Sequence, residues 1–392
     1  MAAATRPDPR PFTISVPEAE LADLARRLAA TRLPPRIDPD DWKHGVAHDA
    51  LVSLLDHWRE AYDWRATEAR LNARPQYLVD IDGYDIHFLH LRSPRDDAMP
   101  LIMTHGWPGA FTEFEATLDA LLDPGTAAQP AFHLVVPSLP GFGWSSPGER
   151  PVTSRVVAGL WRRLMERLGY ASYLVQGGDW GSAVGSWLAI DAPLNVRALH
   201  LNMLGLKPFV DPAVPLSGRE QAWLAATRHT RRDELGYVGI QSTRPLTLAF
   251  GLTDSPAGLA AWLLEKFRVW SGPGGSFGPF ETSRLIDVAM IYWLNRSAYA
   301  ASWPYYAARH QGDIAMGPGE RVEVPTAYLA CPDDIQPPAP DEWVARGYDC
   351  RYRRDLERGG HFIAFEQPEI FVADLRCWFG RFGVGPAASG TG

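Results

Sequence analysis

Between residues 101 and 201 the chain repeats one unit: a short apolar run, a loop rich in glycine or proline, then a stretch of helical periodicity. Leu101-Ile102-Met103 runs into His105-Gly106-Trp107-Pro108-Gly109, and residues 132–137 run into Leu139-Pro140-Gly141-Phe142-Gly143. Tyr173-Leu174-Val175-Gln176 runs into Gly177-Gly178-Asp179-Trp180-Gly181, and another apolar run follows at 196–201. Continuous apolar strands separated by helices predict a mostly parallel sheet, because helical crossovers cover both faces of such a sheet. The rhythm stops over 206–321, which reads as helical and rich in aromatics, including Trp223, Trp262, Phe267, Trp270, Trp293 and Trp303. It resumes at 325–330 and closes with 350–354 before Gly359-Gly360-His361.

Upstream of the repeat, two amphipathic helices are expected. The first opens at Pro17 with Leu21, Leu24, Ala25 and Leu28 on one face; the second covers about 48–62 with Leu51, Leu54, Leu55 and Trp58 in register. Runs at 76–81 and 84–90 flank Asp82-Gly83, a strong hairpin signal. At 392 residues the chain exceeds one ordinary core, so a main domain with an insertion is the natural layout. The expected division is an N-terminal extension over 1–95, core over 96–205, helical cap over 206–321, core again over 322–383, and a disordered tail over 384–392.

The net charge of −8 argues against a nucleic-acid binder, whose surface should be basic. Cys331, Cys350 and Cys377 are odd in number and widely spaced, so neither a disulfide framework nor a metal site is indicated. The segment Met1 to Arg10 carries no apolar run after its charges, and no stretch has the length of a membrane helix. A cytoplasmic protein is the expectation. His44 and His48 share a helical spacing but have no third ligand, so they read as surface residues.

Three loops carry chemistry. Gly177-Gly178-Asp179-Trp180-Gly181 fits a nucleophile elbow, in which glycines two before and two after make room for a sharp strand-to-helix turn. Aspartate stands where esterases carry serine. A serine attacking an epoxide carbon would leave an ether that water cannot readily cleave, whereas a carboxylate leaves a hydrolysable ester. Asp179 therefore implies attack on a saturated carbon bearing a leaving group. The loop His105-Gly106-Trp107-Pro108-Gly109 would supply one oxyanion-hole amide, that of Trp107, and the residue after the nucleophile, Trp180, the other. His361 would deprotonate the hydrolytic water. Its orienting acid should follow the preceding strand, where Cys331-Pro332-Asp333-Asp334-Ile335 offers two candidates.

These motifs, taken in order, resemble the microsomal-type epoxide hydrolases over nearly the whole chain, about 11–382. The likeness includes Tyr62-Asp63-Trp64-Arg65 and Leu71-Asn72 in the N-terminal block, the HGWPG loop and the GGDWGS elbow. It continues through the cap stretch 236–245, Asp254-Ser255-Pro256, Glu265-Lys266-Phe267 and the closing GGHF. The resemblance implies an α/β-hydrolase fold with a helical cap, no cofactor and no metal. It makes Asp179 the nucleophile, His361 the base, and Asp334, rather than Asp333, the acid. It also implies two cap tyrosines that donate to the epoxide oxygen. Tyr237 matches the first; the second falls in Ser302-Trp303-Pro304-Tyr305-Tyr306, which departs from the family pattern, and Tyr305 is favoured over Tyr306. Its partners would be a small-molecule epoxide, in detoxification or secondary metabolism, and water, with no nucleic acid and no membrane anchor; a homodimer stays open.

Two rivals share some of these residues. A haloalkane or haloacid dehalogenase would use the same Asp and His with Trp180 as a halide ligand, and would need no tyrosine pair. A catalytically silent hydrolase-fold binding protein would have no use for Asp179, His361 and Asp334 together.

Overall fold

The computed structural model describes residues 8–36 and 42–382, apart from the side chains at 230, 231 and 233. The expected tail and most of the Met1 to Arg10 segment therefore lie outside the described residues. Nine strands form one sheet: β1 (Arg10–Phe12), β2 (Gln76–Ile81), β3 (Tyr84–Leu91), β4 (Met99–Thr104), β5 (Phe132–Pro137), β6 (Tyr173–Gly177), β7 (Val196–Leu201), β8 (Val322–Ala330) and β9 (Tyr348–Asp355). Their order is β1-β2-β3-β5-β4-β6-β7-β8-β9. The first three join antiparallel, β3 pairs antiparallel with β5, and every pairing from β5 to β9 is parallel.

The hairpin turns where the sequence places it. Asp82 and Gly83 have φ of 56° and 84°, the left-handed pair that a two-residue turn requires to match strand twist. β1 is an addition: three residues, too short to show alternation, pair with β2, and Phe12 packs on His87 and Trp144. The inner parallel strands β4 to β7 are buried almost throughout, as runs such as Leu134, Val135 and Val136 demand, whereas the edge strand β9 is half-exposed.

The first helix, Glu18–Ala29, buries Leu24 and Leu28 but leaves Ala25 exposed, so its apolar stripe is narrower than its spacing suggests. The second, His48–Glu60, buries all four residues expected of it. Both pack on the helical insertion. Tyr62 and Thr67 donate to Asp287 Oδ1 at 2.8 and 2.9 Å, and Arg70 pairs with the same carboxylate. Asp287 lies on the helix Thr282–Leu294 within the insertion, so the N-terminal block braces it from outside.

The insertion is helical throughout: Gly218–Glu234, Gly236–Gln241, Pro245–Asp254, Pro256–Val269, Thr282–Leu294 and Trp303–Gln311. One of its sequence motifs is a helix start. In Asp254-Ser255-Pro256, Ser255 Oγ accepts the Gly258 N–H at 3.0 Å and Pro256 occupies the first turn, where its missing N–H is no loss. Among the described residues no helix is long and apolar enough to cross a membrane.

Candidate active site

The site forms at the carboxyl ends of adjacent parallel strands, where loops from β4, β6, β7, β8 and β9 meet. Asp179 follows β6 at the start of the helix Asp179–Asp191, with φ of 46°, a left-handed backbone that is strained for a residue with a side chain. The turn is tight because the glycines around it have no side chains. A Cβ on Gly181 would collide with the Thr104 carbonyl, and one on Gly106 would collide with the Asp179 carboxylate.

The Trp107 N–H donates to Asp179 Oδ1 at 2.7 Å. Trp180 is the second residue of the helix, where an amide has no intrahelical acceptor, so its N–H is a free donor by helix geometry. The other carboxylate oxygen, Oδ2, stands 3.5 Å from His361 Nε2, which is buried and makes no hydrogen bond among the described residues. His361 Nδ1 lies 2.8 Å from Asp334 Oδ1. The two neighbouring aspartates thus differ in role, since Asp333 Oδ2 instead accepts the Gly359 N–H at 2.9 Å. Burial pulls the His361 imidazole down, but the Asp334 and Asp179 carboxylates outweigh it and hold the ring protonated well above its usual range.

The insertion closes the site with aromatic rings. Tyr237 stacks on Trp107 at 4.7 Å between centroids, and Tyr305 stands edge-on to Trp180 at 4.8 Å and to Tyr237 at 5.6 Å. The Tyr305 side chain is buried, and burial, reinforced by Tyr237 and Asp179, pushes the phenol well above its usual value. Tyr306 instead packs on His310, with centroids 4.1 Å apart. A cavity of about 730 Å³ opens from Asp179, Trp180, Tyr237 and Tyr305, within the range common for small-molecule sites.

All seven residues singled out in the sequence thus converge here. Four others were not singled out in this way. Trp270, one of the aromatics of the insertion, packs its ring against His361 at 5.1 Å and accepts the His361 N–H on its carbonyl at 2.7 Å. Asn202, after β7, donates to the His361 carbonyl at 3.3 Å. The Glu366 carboxylate accepts the N–H groups of Gly360, Phe362 and Gly272 at 3.1 to 3.2 Å. Burial outweighs those three amides and pushes its pKa up to about 7. Glu113, in the turn after the HGWPG loop, is pushed up to about 8, chiefly by burial. None of these carries a local motif: Trp270 and Asn202 reach His361 from distant loops, and Glu366, though its partners Gly360 and Phe362 are near in sequence, reads as an ordinary helix carboxylate.

Residues 9–114 match a family profile described as the epoxide hydrolase N terminus, and residues 99–235 match one described as the alpha/beta hydrolase fold. Epoxide hydrolase 1 of Sus scrofa is 34% identical over 410 residues, covering 97% of this chain and 90% of that one. The structure of Aspergillus niger epoxide hydrolase superposes with a TM-score of 0.84 at 32% identity, covering 96% of this chain and 97% of that chain. Juvenile hormone epoxide hydrolase from the silkworm Bombyx mori superposes with a TM-score of 0.85 at 31% identity, covering 96% and 95%. Nearly complete coverage at this identity leaves one conclusion: the chain belongs to the epoxide hydrolase family and has its α/β-hydrolase fold.

Proposed function

We propose that the enzyme converts an epoxide to a vicinal diol through a covalent ester on Asp179. The observation that carries this reading is the division of labour between the two oxygens of Asp179. Oδ1 is held by the Trp107 amide, which leaves Oδ2, on the His361 side, to attack. Bond formation from Oδ2 to the epoxide carbon breaks the carbon–oxygen bond, and the electron pair goes to the epoxide oxygen. Tyr237 and Tyr305 support that oxygen, and one of them supplies its proton.

Ester formation has an electrostatic consequence. It removes the negative charge of Asp179, one of the two carboxylates that keep His361 protonated. The imidazolium proton then passes to the tyrosinate left by ring opening, and the neutral imidazole, oriented by Asp334, becomes a base. Water gives a proton to Nε2 and its oxygen adds to the ester carbon. The charge develops on Oδ1, between the Trp107 and Trp180 amides. Collapse breaks the bond to Oδ2, which leaves with the diol and takes the proton from His361; the Asp179 carboxyl, which keeps the water oxygen and its remaining proton, gives that proton to His361 and restores the resting carboxylate and imidazolium. The buried Tyr305 hydroxyl beside Asp179 favours this over halide chemistry, since a halide needs no proton.

The test is His361→Gln mixed with styrene oxide and followed by intact-protein mass spectrometry. The variant is expected to gain the mass of one substrate and hold it, while Asp179→Asn, freshly made, gains none. Multiple turnovers by His361→Gln at the parent rate would remove the histidine from the mechanism.

A further inference from the structure

The wall of the cavity combines three kinds of side chain. Asp179 shares it with the aromatic residues Trp180, Tyr237 and Tyr305 and with the apolar side chains of Leu224, Val238, Ile335 and Trp343. Its outer lining carries Lys207, Arg228, Arg232 and Arg309, all exposed to solvent. Asp179 is the sole carboxylate among the described residues that line the cavity. That bias runs against the chain as a whole, which has 46 acidic residues and 38 lysines and arginines. Arg228 and Arg309, moreover, have no ion-pair partner among the described residues, in a protein where most arginines near the surface are paired.

We infer that the preferred substrate is an amphipathic epoxide: an apolar body that fills the cavity, with an anionic group, such as a carboxylate, that stays at the mouth among these cations. This rests on the epoxide-hydrolase reading above and narrows its substrate class. An anionic substrate has to approach a site whose nucleophile is itself an anion. Cations at the mouth offset that repulsion where the substrate enters, and an anion held there remains solvated, so no charge has to be buried. The apolar lining supplies affinity by burial, and the exposed cations supply orientation, presenting the end remote from the charge to Asp179. Neutral epoxides can enter the same cavity but gain nothing from the rim.

The experiment compares the epoxide of undecylenic acid with the epoxide of its methyl ester, using styrene oxide as a neutral reference. The acid and ester share the reacting end and differ in the charge at the far end. At low ionic strength the acid is expected to exceed the ester in kcat/KM by roughly tenfold, since steering of this kind spans about 10- to 1,000-fold. Added salt should collapse the ratio, because the screening length falls from about 30 Å at 0.01 M to about 3 Å at 1 M. Arg228→Gln and Arg309→Gln should each lower the acid-to-ester ratio roughly two- to fivefold, the range expected of an exposed charge pair. The double charge reversal to Glu should invert it. Reading a ratio makes the result independent of how much enzyme folds. Equal turnover of acid and ester at low salt, with styrene oxide consumed, overturns this inference alone. Failure to turn over any of the three overturns the epoxide-hydrolase reading and this inference with it.

Discussion

Core and cap hold their halves of the site by different means. The core uses directional hydrogen bonds: Trp107 N–H to Asp179, His361 to Asp334, Asn202 to the His361 carbonyl, Glu366 to the amides on either side of His361. The cap uses ring packing. Tyr237 lies against Trp107, Trp270 and Tyr305, with the Lys266 ammonium 5.3 Å from its centroid. A hydrogen bond is lost with one atom, whereas a packed ring survives the loss of its hydroxyl. Changes of a single atom should therefore disturb the two regions very differently. In the core they should alter charge and orientation together; in the cap they should remove only the proton donor.

The largest effect that would test this contrast is Asp334→Asn. The amide preserves the shape but cannot stabilise the imidazolium that forms when His361 takes a proton from water. By analogy with the equivalent change in a serine-protease triad, hydrolysis of the ester should slow on the order of 10⁴-fold. Alkylation does not pass a proton through His361 and should fall far less. Rapid-mixing measurement of ester formation and decay with styrene oxide reads both steps. Decay within tenfold of the parent would show that the core geometry tolerates the loss of its acid.

Next comes the cap. Together, Tyr237→Phe and Tyr305→Phe should slow alkylation by epoxides about 10²–10⁴-fold, each alone less, while any reaction with haloalkanes changes little. Stability should barely move at Tyr305. Its ring packs on Trp107, Trp180 and Tyr237, and that packing survives the loss of the hydroxyl. Tyr305→Phe is therefore expected to stay within about 1 kcal/mol of the parent, seen as a nearly unchanged denaturation midpoint and slope. A clear loss of stability would mean that the hydroxyl has a structural role, and that the contrast between core and cap is drawn too sharply.

Sequence reading reached the core more completely than it reached the contacts between core and cap. The strands β5 and β7 coincide with their apolar runs, because a strand buried on both faces must be apolar along its length. The elbow was legible because its glycines are demanded by contacts within a few residues and with the neighbouring strand. Trp270, Asn202 and Glu366 were not, since each meets His361 or its loop from a different element. Trp270 is 91 residues from Asp179 in the chain and nothing local distinguishes its indole from one that only packs. The choice of Asp334 over Asp333 came from the family resemblance and not from local chemistry, since both side chains reach the loop after β9, Asp334 to the His361 ring and Asp333 to the Gly359 amide.

Glu366 offers the finest test, because charge and stability should separate there. Its carboxylate ties Gly272 of the cap to Gly360 and Phe362 beside His361, so it positions the base without touching substrate. Burial raises its pKa from 4.5 to about 7. The folded protein therefore holds this proton more tightly than the unfolded chain does, and the group's contribution to stability falls as pH rises from 4.5 through about 7. Glu366→Gln removes that loss, so the variant should gain stability relative to the parent across this window and keep the gain above it. Activity should go the opposite way. A glutamine, like a protonated glutamate, turns a donor toward at least one of the three amides and loosens the histidine loop. Ester hydrolysis in the variant should be about tenfold slower than in the parent at pH 8, the effect of one charge-assisted hydrogen bond shared across a loop, and nearly equal at pH 6, where the parent carboxyl is itself protonated. The ratio of the two rates cancels the titration of His361, which both proteins share. A ratio that stays flat from pH 6 to 8 would mean that the Glu366 charge does not act on the base.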